Sequence, residues 1–159
     1  MSDMLDVEMA PAARTTIETS LAVEPGEEVL IIADARTVGI GRAFASAAAA
    51  AGARTTTAIM PLLESHGNEP PDTIAAAMAA ADAVVTPTTH AITHTRARLD
   101  AADAGVRIAI IRGVTEDMLI EGAMTADFEA VRDVTTRIAE RIDAADAARV
   151  TSEQGTDVT

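Results

Sequence analysis

Short runs of apolar, largely β-branched residues alternate with longer alanine-rich segments along most of this chain. The first run, Glu28–Ala33 (EVLIIA), is apolar at every position after its opening glutamate. Continuous apolarity, instead of apolarity at every second position, is typical of a strand that is buried on both faces of a parallel sheet. Parallel strands also need long crossover connections, which the intervening segments are long enough to provide. The pattern therefore predicts an α/β domain with helices on both faces of its sheet.

The predicted domain is Rossmann-like, with three layers and a parallel sheet of about four strands. The strands are expected at Glu28–Ala33, Thr55–Met60, Ala83–Val85 and Arg107–Ile111. An N-terminal helix over Pro11–Val23 precedes them, and a long C-terminal helix over Phe128–Ala148 follows them. The remaining helices are expected at Val38–Ala51, from Pro70 to Ala81, at Arg96–Ala104 and from Thr115 onward. We therefore assign residues 1–148 to one α/β domain and expect residues 149–159 to be the start of a missing C-terminal domain or a disordered tail.

The charge of the chain excludes two classes of partner. Twenty-five carboxylates oppose 12 basic residues, all of them arginine, and the net charge is −13. Nucleic acid and anionic membranes both require positive charge, so we expect neither as a partner. Dense carboxylates keep a surface hydrated in concentrated salt, which predicts a halophilic, archaeal protein with an acidic surface. A GC-rich genome without salt adaptation would give a similar composition, and that alternative stays open.

Missing residue types exclude further kinds of site. The chain has no cysteine, which rules out disulfides, thiolate metal sites and cysteine nucleophiles. It has no lysine, which rules out a phosphate-binding loop of the Walker type. No apolar stretch reaches the length of about 18 residues that a membrane span needs, and the acidic N-terminus does not resemble a signal peptide. We therefore expect a cytoplasmic protein.

Polar side chains concentrate in one segment, Thr86–Arg98 (TPTTHAITHTRAR), between the third predicted strand and the helix after it. In open α/β sheets, ligands bind in the crevice beyond the carboxyl ends of the strands. Asp34 stands at the corresponding end of the first strand. The sequence therefore predicts a substrate cleft at this edge but assigns no catalytic residue and no metal ligand. The cleft candidates are Asp34, Thr88, Thr89, His90, Thr93, His94, Thr95 and Arg96.

Each candidate also has a structural interpretation. His90 and His94 have the four-residue spacing of zinc ligands, but the glutamate of a hydrolytic H-E-x-x-H motif is replaced by alanine. The guanidinium of Arg96 is suited to bind a substrate carboxylate or phosphate. It is equally suited to form an ion pair with a nearby aspartate, which the acidic composition favours. Asp34 is placed for a ligand contact or a helix cap, and Thr93 or Thr95 is expected as an N-cap. A looser polar cluster lies in the loop after the second strand, at Glu64, His66 and Glu69.

Glycines follow the first predicted strand at Gly39 and Gly41. A dinucleotide-binding fingerprint needs a third small residue three positions later and an acid at the end of the next strand. Phe44 and Pro61 occupy those places, so we expect the glycines to let a helix begin close to the sheet instead.

An ordered set of segments resembles the N-terminal domain of the thermophile-type leucyl aminopeptidases, the aminopeptidase T-like metallopeptidases. The resemblance rests on Glu24–Ile31, Ala33-Asp34, Glu69–Pro71, Thr86–Thr88, Thr93–Arg98 and Gly105–Ile108, and runs from about Arg14 to the C-terminus. It implies a metal-dependent hydrolase whose ligands (glutamates, histidines, a tyrosine and an aspartate) lie in a C-terminal domain. None of those ligands transfers to a position here, and the chain has no tyrosine.

The resemblance therefore implies the N-terminal half of a peptidase-like protein, inactive alone, from a shortened or split gene. A divalent metal such as zinc or cobalt is expected only with the missing domain, and the substrate would be a peptide or a small molecule. A non-catalytic small-molecule binding module stays an open alternative. So does an interaction subunit whose residues 149–159 pair with another chain, and a homo-oligomer also stays open. The same superfamily includes a dihydroxypyridine ring-opening dioxygenase, which is a further alternative.

Overall fold

Four parallel strands form the central sheet of the molecule. The computed structural model describes the backbone of residues 2–159 and the side chains of residues 7–159. The strands are β1 (Glu28–Asp34), β2 (Arg54–Met60), β3 (Ala83–Thr86) and β4 (Arg107–Ile110). Their spatial order is β2-β1-β3-β4, and every neighbouring pair is parallel. The predicted parallel α/β sheet of about four strands is confirmed.

Helices connect the strands and flank the sheet. They are α1 (Ser2–Thr15), α2 (Val38–Ala50), α3 (Asp72–Ala79), α4 (Arg96–Asp103) and α5 (Glu116–Ile120). A further helix, α6 (Phe128–Asp143), follows them along the chain. A wider π-type turn, Thr16–Ser20, continues α1, and a 3₁₀ turn spans Ala123–Thr125. The N-terminal helix begins earlier than predicted, because Pro11 lies inside it instead of at its start. Residues on both sides of the proline, among them Met9 and Ala13, are fully buried, and this packing offsets the hydrogen bond that proline cannot donate.

Consecutive side chains of β1 lie on opposite faces of the sheet. Val29 and Ile31 pack into one apolar cluster with residues of α1, α2 and α5, including the fully buried Phe44. Leu30 and Ile32 pack into a second cluster with residues of α3 and α4. Because both faces are covered, every position of the strand after its first is apolar or buried, as its sequence predicted.

Gly41 lets α2 approach the sheet closely. A Cβ atom at this position would lie 3.0 Å from the Cβ of Ala33 and 3.7 Å from a methyl of Ile31. The expectation that these glycines serve helix–sheet packing is therefore confirmed for Gly41.

The chain divides into two compact units, of which the first ends at Thr125 and the second comprises Ala126–Thr159. The second unit contains α6 and an antiparallel pair of two-residue strands, β5 (Val150–Thr151) and β6 (Asp157–Val158). Asp127 caps the start of α6. The helix ends at Asp143, earlier than the predicted end at Ala148. The proposed boundary after residue 148 stays a prediction. None of the described helices is long and apolar enough to cross a bilayer.

Candidate functional site

The order of the strands places a crevice between the ends of β1 and β3. The chain leaves β1 toward β2 on one side and later continues from β3 to β4 on the other, so the strand order reverses between β1 and β3. Ligands of open α/β sheets bind at such a reversal, beyond the carboxyl ends of the strands. Asp34 ends β1 and Thr86 ends β3, so the polar segment after Thr86 borders this crevice.

The Asp34 carboxylate joins the two sides of the crevice. It accepts hydrogen bonds from the Thr89 backbone N–H (2.6 Å), the Thr89 hydroxyl (3.1 Å) and the Arg36 backbone N–H (2.9 Å). The residue is only 1% exposed. Since a carboxylate has about four acceptor positions, three of them are already occupied within the chain. Asp34 therefore acts mainly as a clamp that fixes the loop after β3.

Asp34 stays ionised in spite of its burial. Burial acts to raise the pKa of Asp34, but the hydrogen bonds from Thr89 and Arg36 outweigh it, with a further contribution from Thr37. The net result is a pKa below the ordinary value of an aspartate. The clamp is thus a negative charge that backbone and hydroxyl donors stabilise without an arginine partner.

Three further hydrogen bonds shape the segment between β3 and α4. The buried Thr88 hydroxyl donates to the His90 carbonyl (2.8 Å). Thr95 is the N-cap of α4, because its hydroxyl accepts the Arg98 N–H (3.3 Å), and this confirms one of the two expected caps. The Glu69 carboxylate also accepts the N–H of Arg96, the first residue of α4. These contacts explain why Thr88 and Thr95 are buried and unavailable to a ligand.

Arg96 forms an ion pair instead of facing the crevice alone. Its guanidinium lies 2.8 Å from the Asp100 carboxylate, one helical turn along α4, and both side chains are largely exposed. The ion-pair interpretation of Arg96 is therefore confirmed.

A pocket of about 410 Å³ opens beside this segment. Its lining residues come from the loops after β2, β3 and β4, and they are His66, Gly67, Ala91, Thr93, His94 and Arg112. A pocket of this volume lies within the range that holds a small molecule. The site therefore combines three strand ends, of which the sequence indicated only one.

Backbone hydrogen bonds hold the three walls of the pocket together. The Ala91 N–H donates to Nδ1 of His66 (3.0 Å), and the Gly67 N–H donates to the Ala91 carbonyl (2.8 Å). The Gly113 N–H donates to the Thr88 carbonyl (2.9 Å), which ties the loop after β4 to the loop after β3. These hydrogen bonds fix the loops that line the pocket, so its shape does not depend on contacts between flexible side chains alone.

The imidazole rings of His66 and His90 lie edge to face, with centroids 4.9 Å apart. Nδ1 of His90 is buried and has no hydrogen-bond partner among the described residues, and the same holds for the hydroxyl of Thr86. Buried polar groups normally find partners, so these two atoms mark the region where a ligand or water would complete the structure.

The eight candidates thus separate into four groups. Asp34, Thr88 and Thr95 are buried and structural, and Arg96 is paired at the surface. Thr93 and His94 line the pocket, while Thr89 and His90 lie half-buried next to it. The sequence did not select His66 as a cleft residue, although its loop cluster was noted, and it missed Gly67 and Arg112. The position of Arg112 directly after the fourth predicted strand was an available signal, as was the place of His66 and Gly67 in the loop after the second.

Among the described residues, no three histidine, aspartate or glutamate side chains are grouped so that they could hold a metal ion. His90 and His94 therefore do not belong to such a group within residues 7–159, and no role as zinc ligands is assigned to them.

Comparisons with known proteins find one matching family and solved structures with a similar fold. The model of the family described as "NicX: 2,5-dihydroxypyridine 5,6-dioxygenase" matches residues 8–159. The structure of 2,5-dihydroxypyridine dioxygenase from Pseudomonas putida KT2440 superposes with a TM-score of 0.72 at 15% identity, covering 99% of this chain and 46% of that one. Wild-type AmpT from Thermus thermophilus gives a TM-score of 0.55 at 18% identity, covering 86% and 48%. No curated protein matches the sequence.

These likenesses differ in what they establish. At such identities the two solved structures share the fold with this chain, and the expected relation to aminopeptidases is confirmed at that level only. The chain spans about half the length of each of these structures. The family match, in contrast, covers nearly the whole sequence.

Proposed function

The chain belongs to the NicX family of 2,5-dihydroxypyridine 5,6-dioxygenases, and on that premise we propose that it forms one wall of the substrate cleft of a ring-opening dioxygenase. The substrate class is a hydroxylated pyridine, and the reaction inserts both atoms of O₂ across one ring bond. The observation that carries the proposal is the family match over residues 8–159. It favours the dioxygenase alternative over the peptidase that the sequence resemblance placed first.

The pocket beside the β3 end supports this assignment by its size and its chemistry. Its volume of about 410 Å³ suits a single-ring molecule. Thr93 supplies a hydroxyl, while His66 and His94 supply imidazole nitrogens, so ring hydroxyl and ring nitrogen atoms find both donors and acceptors. Asp34 holds the adjoining loop in place through Thr89. We assign to this chain the binding and orientation of the substrate.

The divalent metal that the resemblance implies does not fit the described residues, since they contain no group of three suitable ligands. We therefore assign no step of the reaction to a metal on this chain. We propose that the ligands of such a metal lie in a further domain, as the aminopeptidase resemblance implies.

Ligand-induced stabilisation of the purified chain tests the proposal. A ligand at 100 times its dissociation constant should raise the free energy of unfolding by about 2.7 kcal/mol. We expect 2,5-dihydroxypyridine to stabilise the chain and leucine amide, an aminopeptidase substrate, to leave it unchanged. The reverse result would establish the peptidase candidate instead, and no stabilisation by either compound would also contradict the proposal.

A matched pair of variants locates the binding. Asp34 and Asp82 are both carboxylates that accept a backbone N–H, at opposite ends of the sheet. Asp34→Asn should weaken binding of 2,5-dihydroxypyridine because it loosens the loop that carries Thr89. Asp82→Asn should leave binding unchanged. Equal effects of the two substitutions would place the ligand elsewhere.

A further inference from the structure

The pocket lined by His66, Gly67, Ala91, Thr93, His94 and Arg112 contains no carboxylate, in a chain with 25 of them. Its one formally charged side chain is the guanidinium of Arg112. Within residues 7–159, the ion pairs involve five other arginines, and none of them includes Arg112. Because seven of the 12 arginines form no ion pair among these residues, the missing partner alone does not distinguish Arg112. Its position does, since it lines a pocket that contains no carboxylate, and such a guanidinium matches a ligand of opposite charge.

The protonation of His66 adds a donor to the same pocket. Nδ1 of His66 accepts the Ala91 N–H at 3.0 Å, so this nitrogen carries a lone pair and no proton. In the neutral ring, the proton therefore resides on Nε2, which is the remaining polar atom of a residue that lines the pocket. The backbone of the loop after β3 thus fixes His66 as a hydrogen-bond donor.

The donors come from three different loops and surround one cavity. Arg112 follows β4, His66 follows β2, and Thr93 and His94 follow β3. The loops carrying Arg112 and His66 are each tied to the loop after β3 by backbone hydrogen bonds on neighbouring residues, Gly113 to Thr88 and Gly67 to Ala91. A guanidinium together with an imidazole N–H and a hydroxyl is a donor set that matches the oxygens of a carboxylate.

We propose that this pocket binds a carboxylate group carried by the substrate, so that the substrate class is a hydroxylated pyridine carboxylic acid. Arg112 and His66 are then the specificity-determining residues. The hydroxypyridine ring in this inference rests on the proposed function. The preference for a carboxylate rests only on the residues that line the pocket. It adds an acid group that the family description, 2,5-dihydroxypyridine, does not contain.

Binding of matched probes to the purified chain tests the inference. The probes are 5-hydroxypyridine-2-carboxylate, its uncharged amide, 3-hydroxypyridine and inorganic phosphate, each titrated by calorimetry. We expect the carboxylate to bind at least about tenfold more tightly than the amide or 3-hydroxypyridine, which corresponds to about 1.4 kcal/mol. Equal affinity of the acid and its amide would overturn the inference, and so would tighter binding of phosphate than of the pyridine acid.

Variants assign the effect to the pocket. Arg112→Gln should abolish the preference for the acid over the amide, and His66→Asn, which keeps an acceptor for the Ala91 N–H, should reduce it. Both side chains are exposed, so neither change should unfold the protein. Arg54→Gln is the matched control, because Arg54 pairs with Glu28 at the other end of the sheet, and it should keep the full preference. A preference that survives Arg112→Gln would contradict the assignment.

The outcomes separate this inference from the proposed function. If 2,5-dihydroxypyridine stabilises the chain but the acid and amide probes bind equally, the dioxygenase proposal stands and the carboxylate inference fails. If the acid binds through Arg112 but 2,5-dihydroxypyridine does not stabilise the chain, the carboxylate site stands and the proposed ring substrate fails.

Discussion

The two ends of the central sheet differ in how the arginines beside the strands are paired. At the amino end, the charges pair with one another. Arg54 at the start of β2 lies 2.7 Å from the Glu28 carboxylate at the start of β1. Arg107 at the start of β4 pairs with Glu27 and also donates to the carbonyls of Leu21 and Ala22. These charges hold the strands and the N-terminal segment together.

At the carboxyl end, carboxylates bind backbone N–H groups, and cationic groups remain available. Asp34 accepts from the Thr89 N–H, and Glu69 accepts from the first N–H groups of α4. Arg112 has no carboxylate partner among the described residues and lines the pocket. The comparison teaches that the acids at the carboxyl edge are occupied by backbone N–H groups, so that the guanidinium of Arg112 stays available for the proposed ligand.

The largest expected difference between the two ends concerns one aspartate at each end, the buried Asp34 and the exposed Asp82. Asp34→Ala should lower the free energy of unfolding by about 2–3 kcal/mol, because it leaves buried donors without an acceptor. Asp82→Ala removes a single exposed contact with the Glu28 N–H and should cost about 1 kcal/mol or less. Urea denaturation of both variants measures the difference. Equal losses would show that the Asp34 clamp is not a special feature of the carboxyl end.

The arginines should show a smaller difference in the opposite direction, with the larger loss of stability at the amino end. Arg107→Met removes an ion pair and two carbonyl contacts, and we expect a loss of about 1–2 kcal/mol. Arg112→Met removes no contact of that kind and should change stability by less than about 0.5 kcal/mol. The same denaturation experiment checks both. A large loss for Arg112→Met would mean that this arginine supports the fold and is not reserved for a ligand.

Acid should destabilise the protein through both ends of the sheet. Burial opposes the ionisation of Asp34, but hydrogen bonds lower its pKa, and the hydrogen bond from Arg107 lowers the pKa of Glu27. A lowered pKa in the folded state contributes stability above the unfolded carboxyl pKa of about 4, and that contribution is lost as the pH falls through the folded value. Thermal unfolding between pH 6 and about pH 3 should therefore be less pH-dependent in Asp34→Asn than in the wild type. An unchanged pH profile would contradict the lowered pKa.

The smallest expected effect belongs to the exposed pair on α4. Arg96→Ala should cost about 0.5 kcal/mol or less, because solvent screens the Arg96–Asp100 pair. The small loss should disappear in concentrated salt, and denaturation at two salt concentrations measures it. A loss above about 1 kcal/mol would give Arg96 a structural role that its exposure does not indicate.

Local patterns predicted the sheet well, and long-range contacts explain most of what they missed. The continuous apolar run in β1 predicted a strand covered on both faces, and Val29 and Leu30 do pack on opposite faces. The N-terminal helix was predicted to begin at Pro11, whereas tertiary packing holds this proline within α1. Helix propensity is a weak prior that tertiary contacts override.

The candidate site stays a prediction, but its surroundings can be compared with the sequence. The polar segment after β3 borders the pocket described above, because the carboxyl ends of parallel strands share one edge. The bonds between Asp34 and Thr89 join residues 55 positions apart, and His66 reaches Ala91 over 25 positions, so no local spacing reports either contact. Arg112 directly follows the fourth predicted strand. The sequence does not link it to the pocket, because the conformation of the loop after β4 brings it into the lining.

The most direct test of the account locates a bound hydroxypyridine on the backbone. In ¹H–¹⁵N NMR spectra of this 16.4-kDa chain, titration with 2,5-dihydroxypyridine should shift amide signals of residues 66–67, 88–94 and 112–113, with little change at residues 27–28, 54, 82 and 107. Shifts concentrated at the amino end of the sheet, or none at saturating ligand, would contradict the claim that the carboxyl end of this sheet is the substrate-binding edge.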